Sequence, residues 1–316
     1  MLAEVKHQPE AVKFLRCFVE GSLTSPLLLL GPEGVGRRFS VLQAVQEAFC
    51  TGTRETECPC ANCYQIAHGI HPDLIVLDAV EKDIGVDAVR TMIQEAGTYP
   101  ASADSRCFVI DGADRFTVQA ANAFLKTLED PPARSRFFLI AENAGFVLPT
   151  IRSRCGAVRC GVLPDSFVLS VLHRYEKDDA KALVYGRMGE GSVGSAIRFW
   201  GSGKLSLRDH VIKVVQVALD KDLPAVFSSV DAMKDDSLLA LRFLDQVVHD
   251  VLIVQVDPMR AIHRDIVETL QTMSSRVSLA TWMRFGDRVR SLRDRTRKTS
   301  LHIPFHLKTL LAETFV

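Results

Sequence analysis

The chain has 316 residues, of which 47% are hydrophobic, so it is long enough for roughly two or three domains with buried cores. Its 38 basic and 38 acidic side chains balance, which excludes binding to nucleic acid through overall charge and leaves only a local patch for such a contact. No apolar run approaches the ~18 residues of a membrane span, and the first ten residues lack an apolar core, so we expect a soluble, cytoplasmic protein without a membrane partner.

The first predicted elements lead into a glycine-rich loop. Apolar residues at helical spacing predict a helix from Val5 to Glu20 that ends at Gly21. The apolar run 26–30 predicts a buried strand, and the stripe of apolar residues in 39–49 predicts a second helix. The loop between them is therefore expected at the carboxyl end of a strand and the N-terminus of a helix.

Gly31 and Gly36, with Gly34 between them, have the spacing of a phosphate-binding loop, where backbone N–H groups surround phosphate oxygens. Such a loop needs a Lys that reaches the phosphates and a Ser or Thr that holds Mg²⁺, but Arg37 and Arg38 occupy those positions. Arg37 can still pair with a phosphate, whereas Arg38 cannot ligate a metal. The sequence predicts a degraded nucleotide site, and a plain glycine turn is the alternative.

Four thiols within 14 residues predict a structural zinc site made by Cys50, Cys58, Cys60 and Cys63. The gap between Cys60 and Cys63 is typical of a zinc knuckle, while Cys58 and Cys60 are closer than usual. Reduced free thiols and a disulfide are the alternatives; a catalytic zinc is not expected because four thiolates leave no open position. His71 precedes the next strand and is interpreted as a loop or capping residue.

From Asp73 onward, strands and helices alternate, which predicts a parallel sheet covered on both faces and, with the first strand, composed of five strands. The further strands are predicted at 74–78, 106–111, 136–141 and 157–160, and the helices between them at 85–97 and 117–130. Ligands of such sheets bind beyond the carboxyl ends of the strands, where the glycine loop and Asp111 fall. Asp111 matches a magnesium-shell carboxylate, but Gly112 stands where a hydrolytic enzyme needs a Glu.

Three features together resemble one family: the run Asn122–Pro132 (NAFLKTLEDPP), the segment Ile151–Cys155 (IRSRC) and the inserted cysteine loop. They are similar to the AAA+ subunits of the bacterial replicative clamp loader of DNA polymerase III, over residues 1 to about 200. Within that family the degraded loop fits the delta-prime type rather than the gamma/tau ATPases, which keep the Lys-Thr pair.

Two departures from the family pattern matter. The cysteines are separated by seven, one and two residues instead of the usual eight, two and two, which makes Cys58 the least secure of the predicted ligands. Gly194 stands where hydrolysing relatives carry an Arg that senses the γ-phosphate. The losses at Arg37-Arg38, Gly112 and Gly194 agree with one another, so we expect no intrinsic ATPase activity.

The resemblance implies that Arg154, in the Ser-Arg-Cys motif with Ser153, acts as an arginine finger in trans on ATP held by a neighbouring subunit, while the chain's own site is empty. It also implies partners: gamma/tau ATPase subunits, the delta subunit, the sliding clamp and, through the complex, primed DNA. The alternative is that Arg154 forms a surface salt bridge while Ser153 caps a helix and Cys155 fills the core.

We expect three domains: an AAA+ nucleotide-binding-like domain at 1–163 with a zinc module at about 50–63, a helical lid at 164–204, and an all-α collar at 205–316. The lid is predicted to have about three helices and the collar five or six. The basic stretch 288–298 is interpreted as a solvated helix face rather than a DNA contact. Two functional alternatives stay open, an active ATPase that uses Arg37 and a zinc-containing nucleic-acid-binding protein on an ATPase-like scaffold.

Overall fold

The computed structural model describes residues 1–55, 58–79, 83–296 and 301–315. The chain forms two compact units, the first made of Met1–Phe167 and Gly191–Gly194 and the second of Val168–Glu190 and Ser195–Val316. The division into three domains, with boundaries after residues 163 and 204, stays a prediction. No helix among the described residues combines the length and apolar character needed to cross a membrane.

A parallel sheet of five strands, in the order β2-β3-β4-β1-β5, forms the centre of the first unit. The strands are β1 Leu27–Leu30, β2 Leu74–Asp78, β3 Arg106–Asp111, β4 Ser135–Ala141 and β5 Gly156–Arg159. Its helices are α1 Pro9–Val19, α2 Arg37–Phe49, α3 Ala61–Ala67, α4 Val86–Ala96, α5 Val118–Glu129 and α6 Pro149–Arg152, with 3₁₀ turns at Leu2–Glu4 and Ala113–Arg115. The predicted five-stranded parallel sheet is confirmed.

The alternation of side chains along β1 explains why three consecutive leucines are buried and the fourth, Leu30, is half-buried. Leu27 and Leu29 belong to the core on the face of the sheet that α1 and α2 cover, and Leu28 belongs to the core on the face that α4 and α5 cover. A strand with helices on both faces has no solvent side, so its sequence is apolar throughout. This arrangement places the residue after each strand at one edge of the sheet.

The first helix begins later than predicted. Val5 is the C-cap of the first 3₁₀ turn, His7 has a positive φ of 59°, and α1 starts at Pro9. Proline suits the first helical turn because its fixed φ matches the helix and its missing N–H would have no intrahelical acceptor there. The prediction of a helix from Val5 was therefore wrong over its first four residues.

The rest of the chain is helical. Helices α7 Asp165–Leu172, α8 Asp179–Met188 and α9 Val193–Ser202 precede α10 Leu205–Leu219, α11 Leu223–Asp231, α12 Ser237–Ile253, α13 Val267–Ser275, α14 Leu279–Thr296 and α15 Ile303–Phe315, with 3₁₀ turns at Lys234–Asp236, Pro258–Arg260 and Arg264–Ile266. Trp282, Phe285 and Phe243 are among its fully buried side chains. The helical C-terminal region is confirmed.

Candidate functional site

The glycine loop between β1 and α2 depends on glycine for close approach and for backbone conformation. A Cβ at Gly31 would lie 2.0 Å from the carbonyl oxygen of Cys160, so only glycine lets the chain leave β1 beside the end of β5. Gly34 and Gly36 have φ values of 76° and 97°, a region that residues with a Cβ rarely adopt. The loop therefore has the backbone of a phosphate-binding turn at the N-terminus of α2.

Three neighbouring groups fix the carbonyl oxygens of this loop. Ser192 Oγ donates to the Glu33 carbonyl at 2.7 Å, and the Gly194 N–H donates to the Gly34 carbonyl at 2.9 Å. The Nε2 of the buried Gln8 donates to the Val35 carbonyl at 3.2 Å. The loop is thus held in one conformation by protein contacts alone.

Arg37 is a buried cation beside the loop. Only 7% of the residue is exposed, and its Nη1 has no hydrogen-bond partner among the residues that the structure describes. Burial and the charge of Asp78 raise the pKa of Asp111, and Arg37 opposes that rise. Burial also raises the pKa of Cys160 to about 11, again against the charge of Arg37. The charge of the Arg37 guanidinium therefore lowers the pKa of both Asp111 and Cys160 at the carboxyl edge of the sheet.

Arg38 bridges two carboxylates at the same edge. Its Nη1 lies 2.5 Å from Asp78 Oδ2 and 3.7 Å from Asp111 Oδ2. The two aspartates end β2 and β3 and face each other in the strand register. The sequence pointed to Asp111 and not to Asp78, although Asp78 also ends a predicted strand and could have been recognised for the same reason. A guanidinium thus occupies the neighbourhood of the carboxylate that a nucleotide-hydrolysing relative would offer to Mg²⁺.

Two further positions have no room for the side chain that hydrolysis needs. Gly112 has a φ of 102°, and a Cβ there would lie 2.6 Å from the Cβ of Ala79. A Cβ at Gly194 would lie 2.7 Å from the Cα of Gly34, which is backbone and cannot rotate away. Neither a Glu at the first position nor an Arg at the second fits without a backbone shift.

Arg154 follows α6 and lies in a surface ion pair. Its Nη2 is 3.2 Å from Glu129 Oε2, its Nη1 donates to the Thr150 carbonyl, and 30% of its side chain is exposed. Ser153 is the C-cap of α6, and its Oγ donates to the same carbonyl. Cys155 packs against the core beneath. In the isolated chain, Arg154 therefore forms a surface salt bridge, Ser153 caps a helix and Cys155 packs in the core, as the alternative interpretation predicts.

A cavity of about 530 Å³ opens beside Arg154. It is lined by residues 24–26, by residues 128–133 at the end of α5, and by Arg136. The Leu-Glu-Asp-Pro-Pro run and the Ser-Arg-Cys motif, far apart in sequence, therefore meet at one surface. The opening leaves Arg154 accessible to a charged group from outside the chain.

The four predicted zinc ligands form one cluster. The Sγ atoms of Cys50, Cys58, Cys60 and Cys63 all lie within 4.8 Å of one another, with 3.5 Å between Cys50 and Cys58. Thiolates around a tetrahedral zinc are about 3.8 Å apart, as Zn–S bonds of about 2.3 Å require. A disulfide needs about 2.05 Å, and these cysteines are free thiols. Cys58 belongs to the group despite its short spacing from Cys60.

The surroundings of the cluster suit a cation. Burial and the neighbouring thiols raise the pKa of Cys63, whereas a hydrogen bond from the Cys63 N–H lowers the pKa of Cys60 to about 6. A Cβ at Gly52 would lie 2.6 Å from Cys58 Sγ, so glycine is needed for the loop to fold over the thiols. The residues present fit a four-coordinate metal such as zinc. Glu57, a conceivable substitute ligand, lies outside the described residues.

A five-stranded parallel sheet in the order β2-β3-β4-β1-β5, a glycine loop after β1 and an inserted four-cysteine cluster are the features of an AAA+ fold. The family profile described as "DNA polymerase III, delta subunit" matches residues 7–163. The chain is 31% identical over 204 residues to the delta-prime subunit of DNA polymerase III from Pseudomonas aeruginosa, covering 63% of this chain and 62% of that protein. It is 25% identical over 274 residues to the delta-prime subunit from Bacillus subtilis, covering 84% and 83%.

The chain belongs to the delta-prime family of clamp-loader AAA+ proteins. The matched part spans between 43% and 62% of the length of three of these curated relatives, from Pseudomonas aeruginosa, Haemophilus influenzae and Escherichia coli. Among solved structures, a gamma-subunit-related protein from Thermotoga maritima aligns with 97% of this chain and 98% of its own at 19% identity and a TM-score of 0.47.

Proposed function

We propose that the chain is a non-hydrolysing subunit of a clamp loader, which helps to load a sliding clamp on primed DNA together with gamma/tau ATPase subunits and a delta subunit. The observation that carries the proposal is the ion pair of Arg38 with Asp78 and Asp111. The Arg38 guanidinium neutralises the two carboxylates and competes with Mg²⁺ for them. The metal ion that assists hydrolysis therefore has no binding site.

The two alternatives find less support. An ATPase that uses Arg37 would still lack a metal ligand in the loop and a base at Gly112, where Ala79 leaves no space. A nucleic-acid-binding protein needs free basic side chains, but three of the five arginines of α14 pair with the chain's own carboxylates. Arg288 pairs with Glu313, Arg290 with Asp287 and Arg293 with Asp245. Arg297 and Lys298, the last two basic residues of the stretch, lie outside the described residues.

We assign Arg154 as the group that this subunit contributes to a neighbour's ATP. The ion pair with Glu129 is at the surface, where such pairs contribute only about 0–1 kcal/mol, so a phosphate can displace the carboxylate at little cost. A phosphoryl group offers several oxygens to the planar guanidinium, which bonds two of them at once. Glu129 then acts as the resting partner of a side chain that becomes catalytic only in the assembly.

The cysteine cluster is assigned to one structural zinc per chain. Four thiolates complete a tetrahedral shell, so no position is open for substrate, and the metal would hold the polar loop at 50–63 on the end of α2.

The experiment compares assembled complexes that contain the wild-type chain, Arg154→Ala or Arg154→Lys, measured for subunit stoichiometry and for ATP turnover stimulated by clamp and primed DNA. We expect full assembly in all three, a fall in turnover of about tenfold or more for Arg154→Ala, and partial recovery for Arg154→Lys. Arg152→Ala is the matched control, since Arg152 is an exposed residue of α6 whose side chain donates to the Ala144 carbonyl. The isolated wild-type chain should show no turnover.

Unchanged turnover in a fully assembled Arg154→Ala complex would contradict the trans role. So would equal losses for Arg154→Ala and Arg152→Ala, because that pattern indicates a general disturbance of α6. Magnesium-dependent turnover by the isolated chain that Arg37→Ala abolishes would instead establish the ATPase alternative.

A further inference from the structure

Arg136 is a second arginine that lines the cavity beside Arg154. It lies at the start of β4, and its Nη1 donates to the carbonyls of Ala133 and Ser135 at 3.0 and 2.9 Å. Its Nε and Nη2 have no hydrogen-bond partner among the described residues, and no described carboxylate pairs with it. The guanidinium is therefore held at one nitrogen by its own loop and keeps free N–H donors beside an open cavity.

The strand register explains why the two arginines meet at one surface. β1 lies between β4 and β5 in the sheet, and Leu27 of β1 is opposite both Phe138 and Gly156. Arg136 and Arg154 each precede one of these partners by two residues, so both stand at the amino edge of the sheet, on either side of β1. Neighbouring strands are about 4.8 Å apart, which separates the two backbones by about 10 Å. Two arginine side chains at that separation can reach the same ligand from opposite sides.

The rest of the cavity wall adds hydroxyl groups and one opposing charge. Thr24 and Ser25 are exposed residues that lead into β1, and they offer two hydroxyls. Glu129 is paired with Arg154, whereas Asp130 is exposed and forms no ion pair among the described residues. Water and salt screen an exposed carboxylate. A phosphate in this cavity therefore meets two guanidinium groups and two hydroxyls, against one unpaired carboxylate that the solvent screens.

We propose that Arg136 binds a phosphate of the ATP held by the neighbouring subunit, on the far side of β1 from Arg154. The inference rests on the proposed function, since it takes the neighbour's ATP as the ligand of this surface.

The two arginines have different roles in this arrangement. Two carbonyls fix Arg136, and no carboxylate has to leave before a phosphate binds, so its contact is equal in the ground state and the transition state. Such a contact lowers KM and leaves kcat unchanged. Arg154 instead exchanges Glu129 for the reacting phosphoryl group and acts on kcat.

The test measures KM for ATP and kcat of assembled complexes, stimulated by clamp and primed DNA, with the wild-type chain, Arg136→Gln, Arg136→Lys or Arg154→Ala. Arg136→Gln should raise KM about tenfold, the loss expected for one charge-assisted contact, and change kcat less than about twofold. Arg136→Lys should recover part of the loss, because an ammonium keeps the charge without the planar fork. Equilibrium titration with a non-hydrolysable ATP analogue should show the same loss at the nucleotide site that faces this chain.

Arg134→Gln is the matched control. Arg134 belongs to the same loop, but its guanidinium lies over the Tyr99 ring, 5.4 Å from the centroid, and it does not line the cavity. This variant should leave KM and kcat unchanged. Subunit stoichiometry and melting temperature show whether each variant is folded and assembled. Both should stay unchanged in Arg136→Gln, because the glutamine keeps an amide donor for the carbonyls of Ala133 and Ser135.

An unchanged KM in the assembled Arg136→Gln complex, or an equal rise in Arg134→Gln, would overturn this inference. If Arg154→Ala still lowers kcat in that case, the proposed function survives and only the role of Arg136 fails. If Arg154→Ala has the wild-type kcat while Arg136→Gln raises KM, the arginine finger fails, and the surface still binds the neighbour's nucleotide. Wild-type values in both variants would remove the neighbour's ATP from this surface, and with it both assignments.

Discussion

Gly112 stands where a hydrolytic enzyme needs a Glu, and the packing around this position also requires a glycine. The left-handed φ of 102° and the 2.6 Å approach to Ala79 each disfavour a Cβ. Once Ala79 occupies this space, the Glu of a hydrolysing relative cannot return by one substitution. The backbone around position 112 therefore disfavours any side chain there.

We expect Gly112→Ala to lower the free energy of unfolding by about 2–4 kcal/mol, because strain and overpacking act together. The additional change Ala79→Gly should recover part of that loss by removing the clash, although the strained φ persists. Gly85→Ala is the control, since Gly85 has a negative φ and nothing lies within 4 Å of the added Cβ. Urea unfolding at neutral pH provides the measurement. A Gly112→Ala variant as stable as Gly85→Ala would contradict this argument.

The sequence predicted the components of the loop but not their contacts. Arg37 and Arg38 were recognisable as replacements for Lys and Ser or Thr because the glycine spacing fixes their positions. The pairing of Arg38 with Asp78 was not predictable, because it depends on the register that brings β2 and β3 together. Periodicity assigns a residue to a strand and does not say which residue of another strand faces it.

At the scale of elements, long amphipathic segments were predicted and short helices were missed. Helices α3 and α6 were not predicted, and the count of five or six collar helices did not place α11. The three have seven, four and nine residues, too few for an apolar stripe to repeat over a window of about 11 residues. Helix α11 had a local signal that was not used: Asp222 caps its N-terminus and Pro224 follows in the first turn. In α11 these two residues indicate a short helix that periodicity does not reveal, whereas α3 and α6 have no side-chain cap.

We expect the order of the cysteine loop to depend on a bound metal ion. Among its described residues the apolar cluster consists of the four cysteines and Met1, so we expect zinc to account for most of the loop's stability. Cys63→Ser should lose the metal and lower the melting temperature, and limited proteolysis should then cut within 50–63. Cys17→Ser is the control because Cys17 lies in α1, outside the cluster, and should keep one equivalent of zinc.

Elemental analysis of freshly purified, reduced protein gives the zinc content of each variant. Cys58→Ser tests the shortened spacing separately. Its Sγ is 3.5 Å from that of Cys50, so the loss of metal should equal that in Cys63→Ser. Retention of zinc by Cys58→Ser would mean that another group completes the shell. Less than about half an equivalent in the wild-type chain would contradict the zinc assignment itself.

At the scale of the whole molecule, a buried carboxylate fixes a distant loop in each of the two units. In the first unit, Asp73 accepts hydrogen bonds from the N–H groups of residues 101–103. In the second, Asp250 accepts them from the N–H groups of Ile262 and His263 and from the His263 ring. The partners lie 28–30 residues away in the first unit and 12–13 in the second, which sequence patterns do not connect.

Because of both carboxylates, the free energy of unfolding should fall as the pH is lowered. Burial alone raises the pKa of Asp250, but hydrogen bonds from His249 and His263 lower it to about 2. For Asp73, burial is likewise outweighed by the three N–H groups, and the pKa falls below its usual range. A carboxyl whose folded pKa lies below its unfolded value stabilises the fold above the unfolded pKa. For Asp250 that contribution, about 2 kcal/mol, is complete above about pH 4 and is lost as the pH falls toward 2.

The last prediction follows from the placement of each carboxylate within its own unit. Both tryptophans, Trp200 and Trp282, belong to the second unit, so their fluorescence reports its unfolding, while far-UV circular dichroism reports both units. We expect Asp250→Asn to shift the fluorescence transition in urea at pH 7 and to remove the loss of stability between about pH 4 and 2 that this transition shows in the wild-type chain. Asp73→Asn should shift only the dichroism transition. The control Asp87→Asn changes an exposed carboxylate of α4 and should move neither. Equal shifts of both signals in Asp73→Asn and in Asp250→Asn would show that the units unfold as one cooperative body; the two carboxylates would then stabilise the whole chain rather than the loops they bind.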